Sequence, residues 1–373
     1  MTAELINGIT GFHIWSETYD RNVGDVLRLQ TEIASTVAET LKVTLLGDIA
    51  AKIELGGTRN PAAFDAYLRG SKIAHEAQEL NDDNTAIAYY TQAIRQDPNY
   101  ALAFVSRSFE YNYATDYETG AAVRESFDKA RQDALKAISL APELAEAHFV
   151  LAYYFEFGRL DFAHASEEYD RALALAPRNA IILLHYAEFA AAMGRKEASV
   201  AAARNAVLLD PLNRSAHLSL GEVLYWGREY NEAVTAYQNA RAIDDDFAPI
   251  YPSRGLAQYA LGALQSAKTS CERYPDYTPS RECLAMIYDK LGRHAEAEAQ
   301  LAKAMASQGE TDTYQYVCVY AQWGDVSKAL EWLEAARRRR DLNLIDIKVD
   351  PLLDPLRREP AFQDVIRQLN FPN

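Results

Sequence analysis

The chain has 373 residues, and 53 acidic against 38 basic side chains give it a formal net charge of −15. A surface this acidic repels the phosphates of nucleic acids and of anionic lipids, which argues against both as direct partners. Apolar residues make up 49% of the chain, enough for large buried cores, and the length suits several domains or an array of repeats.

Residues 1–57 carry no repeat. Ala3–Ile6 and Phe12–Thr18 are predicted to be short strands on either side of a turn. Asp25–Leu46 is predicted to be an amphipathic helix, since its apolar residues recur at helical spacing. Paired glycines and an Asn-Pro dipeptide then predict a linker, which together with the start of the first repeat helix takes up 58–66.

From there on, small side chains recur at intervals of 30 to 44 residues, most often 34. They are Ala86, Ala130, Ala165, Ser199, Ala233, Ala267, Ala297 and Ala329. Small residues let two helices approach closely, and a proline after the second helix of several units stops that helix. Each unit is therefore predicted to be a helical hairpin that buries its apolar face against its neighbours.

These units resemble the tetratricopeptide repeat (TPR) family, most clearly at Leu220-Gly221, Ala233, Tyr237 and Ala240. The resemblance implies an all-α TPR solenoid of about eight helical hairpins over 67–341. In such a solenoid the first helix of each hairpin lines a concave groove. Residues 342–373 contain two Pro-initiated segments, and we expect them to form a C-terminal helical cap over the last apolar face.

Part of the N-terminal region resembles a second family. Trp15, Tyr19-Asp20-Arg21, Asp25 and Gln30 are similar to the end of the TolB-like, or FlgO-like, domain. In bacteria that domain often precedes TPRs and follows a class III nucleotidyl cyclase or a winged-helix domain. The resemblance implies that 1–57 is a partial TolB-like segment. The chain is then a truncated product, or a protomer that pairs through its exposed strand edge.

The sequence contains none of the motifs HExxH, GxSxG, GxGxxG or the phosphate-binding P-loop. His148, His185 and His217 fall early in successive first helices, and a metal or catalytic ladder is conceivable. We interpret them instead as core or groove-wall residues. We therefore predict no metal, no cofactor and no enzymatic activity.

The three cysteines are Cys271, Cys283 and Cys318. Because their number is odd and their spacing wide, we expect buried thiols in a reducing compartment and a cytoplasmic location. No stretch of about 18 apolar residues exists to cross a membrane.

Positions of the first helices that packing does not require are predicted to line the groove. They combine aromatic and acidic side chains with one methionine: Phe109, Tyr113, Tyr153, Glu156, Glu188, Glu222, Tyr225, Trp226, Tyr259 and Met286. This mixture suits a peptide with apolar anchors and basic residues. About half of the aromatic residues fit equally well in the core between repeats.

Our leading hypothesis is a non-catalytic scaffold that binds protein or peptide as the sensory or regulatory part of a bacterial signalling or transcription regulator. One alternative is the regulatory fragment of a class III adenylate or guanylate cyclase whose catalytic domain lies outside this chain. Another is an assembly factor that oligomerises through its N-terminal strands. The basic run Arg337–Arg340 ends a helix, where cations are favoured, although a phosphate contact there is conceivable.

Overall fold

The computed structural model describes residues 2–6, 13–18, 55–76, 80–114, 121–308 and 313–372. Strands β1 (Thr2–Ile6) and β2 (His13–Thr18) pair antiparallel, with Thr2 opposite Thr18. The helix predicted over Asp25–Leu46 lies outside the described residues.

Eight consecutive helical hairpins, here called units 1 to 8, make up most of the described chain. The predicted solenoid of about eight hairpins is thereby confirmed. Their helices, two to a unit, are α1 (Pro61–Glu76) and α2 (Leu80–Gln96), α3 (Ala101–Ala114) and α4 (Ala121–Leu140), α5 (Ala145–Tyr153) and α6 (Phe162–Leu175), α7 (Ala180–Ala192) and α8 (Lys196–Leu209), α9 (Arg214–Trp226) and α10 (Tyr230–Ile243), α11 (Ile250–Ala260) and α12 (Leu264–Cys271), α13 (Thr278–Lys290) and α14 (His294–Gln308), and α15 (Thr313–Trp323) and α16 (Val326–Arg339).

The small residues that revealed the repeat are buried where helices cross closely. All eight anchors, from Ala86 to Ala329, are at most 1% exposed. Gly221 of α9 lies so close to Tyr237 of α10 that an added Cβ would sit 2.3 Å from the ring. Each hairpin therefore depends on side chains too small to keep its two helices apart.

Asparagine caps set the start of several first helices. The side chain of Asn179 accepts hydrogen bonds from the backbone N–H groups of Ile181 and Ile182, and Asn213 does the same one unit later. Such caps satisfy donors that the first turn of a helix leaves free. The α5 helix ends differently, in a π-helical turn at Tyr154–Arg159.

The prediction of buried thiols is wrong for Cys271 and Cys283, which form a disulfide between α12 and α13. The shortened α12 ends at Cys271, and stacking of units 6 and 7 brings the two sulfurs together. Gly255 leaves the room they need, since a Cβ there would lie 2.2 Å from the Cys271 sulfur. Disulfides persist in oxidising surroundings, so the cysteines no longer support a reducing compartment. Cys318 is a buried free thiol.

Residues 342–372, here called the C-terminal segment, fold back on the solenoid. They form two 3-10 helices, Leu342–Lys348 and Pro351–Leu356, and helix α17 (Pro360–Leu369). Leu352, Leu353 and Phe362 are buried in one core with residues of α15 and α16, so the segment packs over the last hairpin. Within the described ranges, no helix is both long and apolar enough to cross a membrane.

Candidate functional site

An aromatic cluster joins the first helices of units 2, 3 and 4. The ring of Tyr153 on α5 stacks on Tyr113 of α3, with centroids 6.2 Å apart, and Phe109 lies 4.7 Å from Tyr113. His185 of α7 meets Phe109 and Tyr153 edge-on, at 6.0 and 5.8 Å. Burial lowers the pKa of His185 to about 4, so its imidazole is neutral near pH 7. The first three rings are half-buried and leave apolar surface for a ligand.

Three glutamates follow along the same helices. Glu156 lies in the π-helical turn after α5 and accepts a hydrogen bond of 2.6 Å from the Tyr169 hydroxyl. Burial raises the pKa of Glu188 on α7 to about 7. Burial and the nearby Glu188 charge raise the pKa of Glu222 on α9 to about 8. Burial, with Glu188 and Asp346 nearby, raises the pKa of Glu156 well above its usual range. These three carboxyl groups therefore keep their protons at pH values at which exposed carboxyl groups are ionised.

The C-terminal segment crosses this region. Ile345 is buried in one core with Phe162 of α6 and Met193. The ring of Phe371 stacks on Phe162 with centroids 4.7 Å apart. Arg228, just after α9, donates hydrogen bonds to the Val349 carbonyl at 3.1 Å and to the Asp354 carboxylate at 2.7 Å. The segment therefore reaches units 3, 4 and 5 as well as unit 8.

Asp346 of the segment interacts electrostatically with all three glutamates. Burial and the charges of Asp350, Glu222 and Glu188 raise its pKa well above the usual range. Carboxylates that share a site in this way cannot all be ionised without mutual repulsion. The groove at units 3 to 5 therefore holds a cluster of carboxyl groups. The C-terminal segment of the same chain lies over it.

The other predicted groove residues lie on units 5 to 7. Tyr225 is 6% exposed, and its hydroxyl has no hydrogen-bond partner among the described residues. Met286 is 3% exposed and lies in the core shared with α15. Trp226 is half-buried between the cores of units 4 and 5. Tyr259 donates a hydrogen bond to Gln322 at 3.1 Å. Tyr225 and Met286 thus do not face an open groove in this conformation.

The three histidines do not converge on one point. The Nε2 atoms of His148 and His217 lie 3.0 and 3.1 Å from the carbonyl oxygens of Pro142 and Pro211, each six residues earlier. These contacts fasten the start of a first helix to the preceding turn. In the part of the chain that the structure describes, no group of three or more His, Cys, Asp or Glu residues is arranged to hold a metal ion.

A shallow cleft of about 510 Å³ lies elsewhere, between units 7 and 8. Its walls include Asp289, His294, Tyr320 and Trp323. None of the predicted groove residues lines it.

Sequence reasoning missed the part that the C-terminal segment plays in the groove. A signal was present at Leu342–Lys348, where four apolar residues stand among seven. So many apolar residues are unusual in a solvent-exposed turn. The pattern does not show, however, which surface of the solenoid they cover.

A model of the tetratricopeptide repeat matches residues 71–100 and 284–310. The Rhizobium meliloti (strain 1021) protein named "Putative adenylate cyclase 3" is 27% identical over 154 residues, which are 41% of this chain and 26% of that protein. The Mycosarcoma maydis "Small glutamine-rich tetratricopeptide repeat-containing protein 2" is 28% identical over 123 residues, 32% of this chain and 33% of that protein. The matches span only about a quarter and a third of these curated relatives.

Among solved structures, yeast Tom70 superposes with a TM-score of 0.50 at 13% identity, over 93% of this chain and 78% of that chain. At this identity the likeness concerns the fold alone. The comparisons do not support the TolB-like resemblance of residues 1–57, which stays a prediction, and the pairing of β1 with β2 rests on the structure alone. The chain contains tetratricopeptide repeats in a helical solenoid, the type of scaffold that binds protein or peptide partners and is typically non-catalytic.

Proposed function

We propose that this chain binds a protein or peptide in the groove formed by its first helices, as the sensory or regulatory part of a bacterial signalling or transcription regulator. The binding residues are those predicted from the sequence except the buried Tyr225 and Met286, with Phe109, Tyr153 and Glu188 at the centre. The predicted cytoplasmic location is not carried into this proposal, because the argument from free thiols no longer holds.

One observation carries the proposal: half-buried rings and acidic side chains lie on neighbouring first helices of units 2 to 5. Aromatic residues in partly buried pockets are the usual energetic centres of protein interfaces. Carboxylates beside them favour basic residues in the partner and disfavour acidic ones. A peptide with an apolar anchor followed by lysine or arginine matches both features.

Selection of peptides from a random displayed library against the full chain tests this function. We expect Tyr153→Ala and Glu188→Gln each to weaken a selected peptide by about tenfold, which is typical of a hot-spot residue. Leu208→Ala is the matched control, because Leu208 is 71% exposed on a second helix. Peptides that bind both groove variants as tightly as the control, with circular dichroism unchanged, would contradict the proposed site.

A second candidate is the regulatory part of a longer adenylate cyclase. The similarity to the Rhizobium meliloti protein supports it, although the match covers only 26% of that protein. The intact mass of the native protein from its host tests this candidate. A mass well above 41.7 kDa supports it, and a mass of 41.7 kDa argues against it. Oligomerisation through the N-terminal strands stays a further prediction.

A further inference from the structure

The groove at units 3 to 5 already has an occupant, since residues 342–349 and Phe371 of the same chain lie in it. Asp341 and Asp350, here called the root of this segment, are hydrogen-bonded to unit 8. Asp341 accepts hydrogen bonds from the Thr313 hydroxyl at 2.7 Å and from the Tyr314 backbone at 2.8 Å. Asp350 accepts another from the Tyr314 hydroxyl at 3.2 Å.

The contacts with units 3 to 5 are mainly apolar. They include the burial of Ile345, the packing of Leu342 and Leu369 against the same core, the stacking of Phe371 on Phe162 and the hydrogen bonds from Arg228. The Arg228–Asp354 ion pair is about half exposed on both sides, and exposed pairs add little stability. Leu344 and Ile347 join the segment to the core of unit 8, whereas its hold on units 3 to 5 rests on apolar packing and exposed hydrogen bonds.

The charge of the segment also fits the groove poorly. Asp346 lies within electrostatic reach of Glu156, Glu188 and Glu222, and also of Asp350. Two cations of the segment have other partners. Lys348 lies over the Phe371 ring at 4.9 Å, and Arg357 pairs with Asp354 at 2.6 Å. A lysine or arginine in the place of Asp346 would meet three carboxylates and would interact far more favourably.

We propose that the C-terminal segment is an intramolecular occupant of the groove, which a partner peptide displaces by placing a lysine or arginine against Glu156, Glu188 and Glu222. This inference rests on the proposed function and adds to it the chemistry of the partner and the element that moves. An apolar side chain of the partner takes the place of Phe371 on Phe162. The root at Asp341 and Asp350 keeps the segment tethered to unit 8.

Besides one another and Asp346, the described groups that act on the groove carboxylates are hydroxyls. Glu156 faces Tyr169, Glu188 faces Ser219, and Glu222 faces Ser253 and Tyr237. A cation that enters stabilises their ionised forms, so binding releases protons. The affinity for a basic peptide is therefore expected to rise with pH between about 6 and 8.

The probe is a short amphipathic peptide of leucine and lysine, with a leucine and glutamate peptide as its counterpart. Hydrogen exchange of the full chain reports the segment. We expect the lysine peptide to accelerate exchange at 342–349 and near Phe371 while the amides of Leu352 and Leu353 stay protected. The glutamate peptide should change neither region. Binding of the lysine peptide without faster exchange would overturn the proposal.

Two variants act in opposite directions on the same binding constant. Phe371→Ala loosens the segment and should raise the affinity for the lysine peptide by about tenfold. Asp346→Lys supplies the cation within the chain and should lower that affinity by about tenfold. Asp364→Lys, on the exposed side of α17, makes the same charge change away from the groove and should differ little from the natural chain.

The outcomes separate this inference from the proposed function. Equal affinities in Phe371→Ala, Asp346→Lys and Asp364→Lys overturn the inference. The library-selected peptides still test, independently, whether the groove is a binding site. If Phe371→Ala, with its groove opened, binds neither the lysine peptide nor any selected peptide, the proposed function fails as well.

Discussion

The ring of Phe371 stacks on the ring of Phe162, with centroids 4.7 Å apart and 16° between the ring planes. Phe162 begins the second helix of unit 3, whereas Phe371 follows the last helix of the chain. In an open solenoid each repeat contacts only its neighbours, and stability is a sum of local terms. This contact joins parts of the array that are far apart, so the stability of unit 3 becomes coupled to that of the C-terminal segment.

Phe371→Ala removes this contact. We expect a loss of about 1 kcal/mol or more in the free energy of unfolding, since aromatic pairs add to the burial of their rings. We also expect faster trypsin cleavage after Arg357 and Arg358. Phe64→Ala is the control, because Phe64 is 44% exposed on α1. Cleavage at the natural rate in Phe371→Ala would show that the ring does not hold the segment down.

The acidic groove predicts that stability falls as the pH rises. The pKa of Glu188 is raised to about 7 and that of Glu222 to about 8, from a usual value of 4.5. The folded chain thus holds these protons more tightly than the unfolded chain. Their stabilising contribution is complete below pH 4.5 and is lost as the pH rises through 7 to 8.

We therefore expect a lower thermal unfolding midpoint at about pH 8.5 than at about pH 6. Glu188→Gln should reduce this difference, because a glutamine does not titrate. Glu197→Gln, at an exposed position of α8, should leave it unchanged. The same pH dependence in both variants would argue against a buried carboxylate at Glu188.

Gly221→Ala tests the close approach of α9 and α10. Its added Cβ would lie 2.3 Å from the ring of Tyr237, which is buried and cannot swing away. We expect a loss of about 1 to 3 kcal/mol, the usual cost of overpacking a core. Gly227→Ala serves as the control, because the nearest atom there is the flexible Lys196 Cε at 3.1 Å. Denaturant unfolding measures both, and equal shifts would contradict the packing described here.

The disulfide between Cys271 and Cys283 predicts one free thiol, Cys318, when the unreduced chain is denatured and titrated. Reduction should lower the free energy of unfolding, by up to about 3 kcal/mol for a cross-link that closes a short loop. A variant with both cysteines changed to serine should start from the lower value and should not respond to reductant. A titration that finds three thiols would show that the bond is absent.

The hairpins were predictable because they depend on local pattern. Alternation of small and large apolar residues at helical spacing determines which faces pack, and a proline after several second helices marks where the unit ends. Burial of all eight anchors follows from contacts within a hairpin or with the next one. Because these interactions join residues close in the chain, they appear as a periodic pattern in the sequence.

The sequence by itself thus determined the repeat and the number of hairpins. Only the tertiary structure decided that Cys271 meets Cys283, that Tyr225 and Met286 are buried, and that Asp346 comes within electrostatic reach of the groove glutamates. The physical reason is that these contacts depend on how successive hairpins stack and on where the chain returns after unit 8. Stacking angles add up over many units, and no short stretch of sequence encodes their sum.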